Sequence, residues 1–139
     1  MSERCDVPAN SIVTFPEGVP GFESSRRFTI LKPRHYAPIL ILQDVEQAHL
    51  SLPVIPAQFV DRGYRLRMDL PDREMLEFSE EPVLGENLLC LFVLVLPGAQ
   101  SRATCNLFAP IVINPDSMRG KQVLQLGSDY PILFPLGGD

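Results

Sequence analysis

The placement of proline constrains this chain more than any other feature. Most of its 14 prolines fall between apolar stretches rather than within them. An interior proline removes a main-chain hydrogen bond and clashes with the preceding turn, which argues against long helices. Short runs between turns remain, and they read as strands. Ile12–Phe15 is the first, closed by Pro16. The segment FPEGVPGFE, Phe15 to Glu23, then holds two prolines and two glycines in nine residues, a set of tight turns. Arg27–Lys32 follows as a strand with Phe28 and Ile30 on one face. Pro38–Gln43 is the next, and Asp44–His49 is a polar connection. Leu50–Ile55 is another strand, which Pro53 demotes to an edge or bulge.

The middle of the chain is more polar. Alternation in Tyr64-Arg65-Leu66-Arg67-Met68 predicts a half-exposed strand with its arginines facing water. Leu70–Phe78 is the best helix candidate. Asp69 can cap it, Pro71 suits its first turn and Leu76 faces the core. Glu80-Glu81-Pro82 closes it. From Asp69 to Glu86 there are seven acidic residues and one basic residue, 1 − 7 = −6, more acidic than the net −5 of the whole chain.

From Asn87 to Pro115 the only charge is Arg102. Asn87–Leu96 and Thr104–Asn114 read as two apolar strands, joined through Pro97–Arg102 as an antiparallel hairpin at the centre of the core. Neither alternates cleanly, so both faces are expected to be buried. Asn114–Gly120 is a turn. Lys121–Leu126 returns as a strand with Val123 on one face and Gln122, Leu124 and Leu126 on the other. The tail, Gly127–Gly138, offers Tyr130, Leu133 and Phe134 to pack back. No strand–helix alternation appears. The expected fold is all-β: one domain, 1–139, forming a small antiparallel β-barrel with one or two short helices.

Several function classes recede. A pI near 5.0 argues against direct nucleic-acid binding, which needs surplus Lys and Arg. The longest apolar run, Leu88–Leu96, is half the length of a membrane span, and the N-terminus lacks a signal-peptide core. A cytoplasmic protein with no membrane contact is expected. Cys90 and Cys105 sit in apolar runs and read as small core residues, whereas Cys5 reads as an exposed thiol near the terminus. No CxxC pair, phosphate-binding glycine loop or nucleophile elbow is present. His35 and His49 each stand alone in loop-like stretches. No enzyme, cofactor or metal is expected.

Three blocks together carry a resemblance: FPEGVPGFE (Phe15–Glu23), NLFAPIVINP with RGKQVLQL (Asn106–Pro115 and Arg119–Leu126), and SDYPILFPL (Ser128–Leu136). Their order and spacing resemble the FliW family of bacterial flagellar assembly factors. The segment from Leu50 to Glu86 matches least. The resemblance implies a non-enzymatic regulator that binds two proteins in exclusive complexes. One is CsrA, an RNA-binding repressor of flagellin translation, and the other is flagellin. FliW on CsrA relieves repression by acting away from the RNA-binding surface, flagellin occupies FliW while it accumulates, and its secretion frees FliW again.

The residues themselves suggest contacts. Asn114, Arg119, Lys121 and Gln122 flank a turn with polar heads. Phe59 and Tyr64, if exposed beside the arginines, make an interface anchor, since aromatic and Arg side chains dominate hot spots. Glu77, Glu80 and Glu81 lie in the acidic span and can steer a basic partner. Two other readings stand beside this one. One is a flagellin chaperone without CsrA control. The other is a small-barrel ligand-binding module or enzyme, which needs an open pocket holding His35 or His49 beside a carboxylate.

Overall fold

A computed structural model describes residues 7–19, 21–96 and 102–136. Among them lie β1 (Ile12–Thr14), β2 (Arg27–Leu31), β3 (Leu40–Asp44), β4 (Ser51–Pro56), β5 (Leu89–Val95), β6 (Thr104–Cys105), β7 (Ile111–Asn114), β8 (Arg119–Gln122) and β9 (Phe134–Pro135). A single 3-10 turn spans Ala57–Phe59, and one short helix, α1, spans Leu70–Met75. Seven strands close into a barrel in the order β4-β3-β2-β1-β8-β7-β5. Val54↔Val93, Ile55↔Phe92 and Pro56↔Leu91 make the closing seam. The expected all-β barrel is therefore the fold. Its ladders are antiparallel save one, the β1–β8 bridge at Thr14↔Arg119.

Strand β4 is no edge, contrary to the expectation from Pro53. Asp44 N–H donates to Leu50 O, which makes Ile41↔Pro53 a non-hydrogen-bonded pair of the β3–β4 ladder. The missing donor of Pro53 points away from β3. The β5 ladder begins only at Val54, so the proline interrupts neither neighbour.

Two cores explain why the apolar strands do not alternate. The barrel interior holds Val13, Phe15, Phe28, Ile30, Leu42, Val54, Leu89, Leu91, Ile111 and Ile113. Phe15 and Phe28 meet edge to face, with centroids 5.4 Å apart. A second core lies outside the barrel wall and takes the other face of the same strands: Cys90, Phe92 and Leu94 from β5, and Val112 from β7. Leu76, Tyr64 and the tail cover it. Each strand is thus buried on both sides, and a continuous apolar run is what such a position demands. Cys90 and Cys105 are buried here, and burial pushes the Cys105 thiol up to about 11. Its thiolate, the reactive form, is thereby suppressed.

Other expectations need correction. Thr104–Asn114 is not one strand. Asn106 Oδ1 accepts the N–H groups of Phe108 and Ala109 and turns the chain between β6 and β7, both of which pair with β5. Tyr64–Met68 joins no sheet. Two of its donors are taken by side chains: Arg65 N–H by Tyr130 Oη at 2.9 Å, and Arg67 N–H by Gln125 Oε1 at 2.8 Å. Arg62, Arg65 and Arg67 are exposed, as the alternation foresaw. Helix α1 stops at Met75 because Glu77 adopts φ +61°. Gly120 lies inside β8 rather than ending a turn. A Cβ there would come within 2.7 Å of Phe15 Cζ, so only glycine admits that ring. In the tail, Tyr130 packs on Tyr64 at 4.4 Å and Phe134 pairs with Cys105, but Leu133 faces out. Cys5 and the connection at 97–101 fall outside the described residues, as does Pro20.

Candidate functional site

Helix α1 has six residues, too few to hold itself together in water. Its start is fixed by a capping box. Asp69 Oδ1 accepts Asp72 N–H at 2.9 Å, and Asp72 Oδ2 accepts Asp69 N–H at 3.3 Å. Its end is held from the barrel. Asn114 Nδ2 donates to Leu76 O at 2.8 Å, Ser117 Oγ donates to the same oxygen at 2.9 Å, and Arg119 donates to Met75 O at 3.0 Å. These bonds satisfy carbonyls that the helix end leaves unpaired. Lys121 Nζ sits 3.3 Å from Asp72 Oδ1 and 3.1 Å from Glu17 Oε1, tying the helix to the Pro16 turn.

Asn114, Arg119 and Lys121 therefore face inward on α1. Asn114 is buried, with its Oδ1 accepting Asp116 N–H at 2.9 Å, and Gln122 is engaged with Ala109 O at 2.8 Å. Replacing Asn114 by alanine removes one of the two donors to Leu76 O and takes the acceptor from Asp116 N–H. It is expected to cost about 2 kcal/mol, read as a lower urea midpoint. Tyr64 is corrected from surface anchor to core residue: it is buried, donates to Leu107 O and stacks edge-on against Phe92 at 4.8 Å. Phe59 is 59% exposed at the end of the 3-10 turn.

The helix and the loop after it present carboxylates to solvent. Glu77 pairs with Arg119 at 3.4 Å and Glu81 with Arg73 at 3.1 Å, so part of the charge is compensated. Glu80 is exposed, as are Glu74 and Glu86, and none of the three has an ion pair among the described residues. These three carry the open negative charge, and only Glu80 was singled out from sequence. Hydrogen bonds from Asp72 main chain and side chain hold the Asp69 carboxyl below its ordinary 3.8. A depressed acid stabilises the fold above its unfolded value and loses that contribution as pH falls through the folded one. The Asp69 cap should hold above 3.8 and fail only below it. The Asp72 amide shift followed by NMR is expected to titrate with a midpoint under 3.8; a midpoint at or above that value contradicts the cap.

The barrel interior offers no ligand space. Phe15, Phe28, Ile30, Leu42, Leu91, Ile111 and Ile113 fill it and are fully buried. His35 and His49 are exposed on loops. No group of three metal-ligating side chains occurs among the described residues, and no described helix is long and apolar enough to cross a membrane. Sequence reasoning missed two exposed apolar residues beside α1, Leu124 and Leu126. It placed them together on one strand face, but nothing in the alternation tells which face is covered.

Known proteins match this arrangement. The family model described as "FliW protein" matches residues 1–136. The flagellar assembly factor FliW of Thermosipho africanus is 34% identical over 132 residues, covering 94% of this chain and 88% of that protein. That of Thermotoga maritima is 33% identical over 128 residues, covering 91% and 83%. A crystal structure of the flagellar assembly factor FliW superposes with a TM-score of 0.80 at 28% identity, over 96% of this chain and 91% of that one.

Proposed function

The chain belongs to the FliW family, and from that premise we propose that it is a non-enzymatic, cytoplasmic assembly factor that works by exclusive protein binding. Its partners in this reading are the translational repressor CsrA and flagellin. Bound to CsrA, it lifts the block on flagellin translation; bound to flagellin, it lets the block return. The whole chain acts as one domain.

The observation that supports the CsrA arm is the acidic surface around α1. A protein that grips RNA is basic, and three exposed carboxylates without ion pairs, one on a helix clipped to the barrel and two on the loop that follows it, attract such a surface. The filled barrel and the loop positions of both histidines favour this over a ligand-binding module. Immobilised chain exposed to the cytoplasm of its own flagellated cells tests the reading. Recovery of CsrA and flagellin is expected. Recovery of neither, with both present in the extract, overturns it. Flagellin alone leaves the chaperone role and removes the regulatory one.

A further inference from the structure

The ladder between β7 and β8 continues past the end of β8. Val123 N–H donates to Pro110 O at 2.9 Å and Gln125 N–H to Phe108 O at 2.8 Å. The alternation of an antiparallel ladder turns the main-chain groups of Leu124 and Leu126 to the opposite side. No described residue bonds to them there. The neighbour on that side, β1, meets β8 only at Thr14↔Arg119 and then departs into the Pro16 turn. The barrel closes elsewhere, but here it leaves a short open edge. Leu124 and Leu126, two residues apart and so on one face, are 54% and 71% exposed. A shallow groove runs beside them, with Arg67, Met68, Asp69 and Asp72 as its other wall. The wall is fixed to the edge by Gln125, whose buried amide accepts Arg67 N–H at 2.8 Å and donates to Arg67 O at 3.0 Å.

We propose that this edge receives an extended segment of a partner protein, alternating apolar and Lys/Arg residues, as an added strand. Main-chain bonds to Leu124 and Leu126 supply the pairing, the segment's apolar side chains cover the two leucines, and its basic ones meet the carboxylates. Charge selects this occupant over a second copy of the chain. Around the groove three carboxylates, Asp69, Asp72 and Glu17, stand against Arg67 and the Lys121 that pairs with Asp72 and Glu17, and the chain carries −5, so two copies meeting here bring like charge together. The inference goes beyond the reading above, since it needs neither CsrA nor flagellin to supply the segment.

Two synthetic peptides test it: acetyl-Lys-Val-Arg-Val-Lys-Val-amide, and its counterpart with Glu at every charged position. Amide exchange followed by NMR on the intact chain is the readout. The basic peptide is expected to slow exchange at Leu124 and Leu126 and to shift their neighbours, while the acidic one does neither. Leu124→Pro removes an outward donor that the fold does not use, and is expected to weaken the basic peptide about 5–10-fold with an unchanged melting curve. Leu126→Lys makes the same comparison through the side chain if the proline variant does not fold. Equal binding of both peptides, shifts elsewhere on the barrel, or no binding at millimolar peptide overturns the proposal. So does protection of both amides in the free protein together with a dimeric sedimentation profile, which assigns the edge to a second copy.

Discussion

Gly18→Ala is expected to destabilise the chain by about 2–5 kcal/mol, a large part of the roughly 5–15 kcal/mol that holds a typical domain. Two separate effects add. Gly18 sits at φ +72°, where an L side chain is strained. A Cβ at that position also falls 2.3 Å from Glu23 O and 2.7 Å from Glu23 C, main-chain atoms that cannot swing aside. The turn is built on this approach: Gly18 N–H donates to Phe15 O at 2.8 Å, and Val19 buries itself in the barrel core and bridges to Phe22. Gly21 supplies the control. It also has positive φ, at +89°, but a Cβ there meets open space, so Gly21→Ala is expected to cost only the strain of about 1–2 kcal/mol. Urea unfolding of the two variants checks the difference. Equal midpoints contradict the close approach at Gly18.

The second large effect is kinetic. Reversing Glu74, Glu80 and Glu86 to lysine is expected to slow association with CsrA by about tenfold or more at low salt. Raising salt shortens the Debye length to a few ångströms and should bring wild type and variant together. Reversing Glu77 and Glu81 is expected to do less, because Arg119 and Arg73 already offset their charge. Stopped-flow mixing across a salt series measures this. Identical rates at low salt remove the acidic surface from the account.

The fold was legible where one physical cause acts alone. Prolines between apolar runs and tight turns at Phe15–Glu23 led to short strands, and continuous apolar sequence in Leu89–Val95 led to a strand buried on both faces. Asp69 and Pro71 announced the start of α1. Legibility ended where side chains do the work of main chain. Tyr64–Met68 alternates like a strand, yet its hydrogen bonds go to Gln125 and Tyr130, some sixty residues away, and no local pattern reveals that. The site shows the same divide. Acidity in Asp69–Glu86 was plain, but which carboxylates stay unpaired depends on Arg119 and Lys121 arriving from β8. Asn114, Arg119 and Lys121 looked like contact residues because they are polar and flank a turn, and the structure uses that polarity to hold a short helix end. Phe59 and Tyr64 were paired as one exposed anchor, but only Phe59 is exposed, since the phenol of Tyr64 finds an internal acceptor in Leu107 O.

The central claim is exclusive binding of two partners, and a competition measurement tests it most directly. Purified chain is loaded with labelled CsrA and titrated with soluble flagellin, while the fraction of CsrA bound is followed by fluorescence anisotropy. The account predicts that both proteins bind and that flagellin releases CsrA with a titration endpoint set by the amount of chain present. A ternary complex that keeps CsrA bound at saturating flagellin, or failure of either protein to bind, contradicts it.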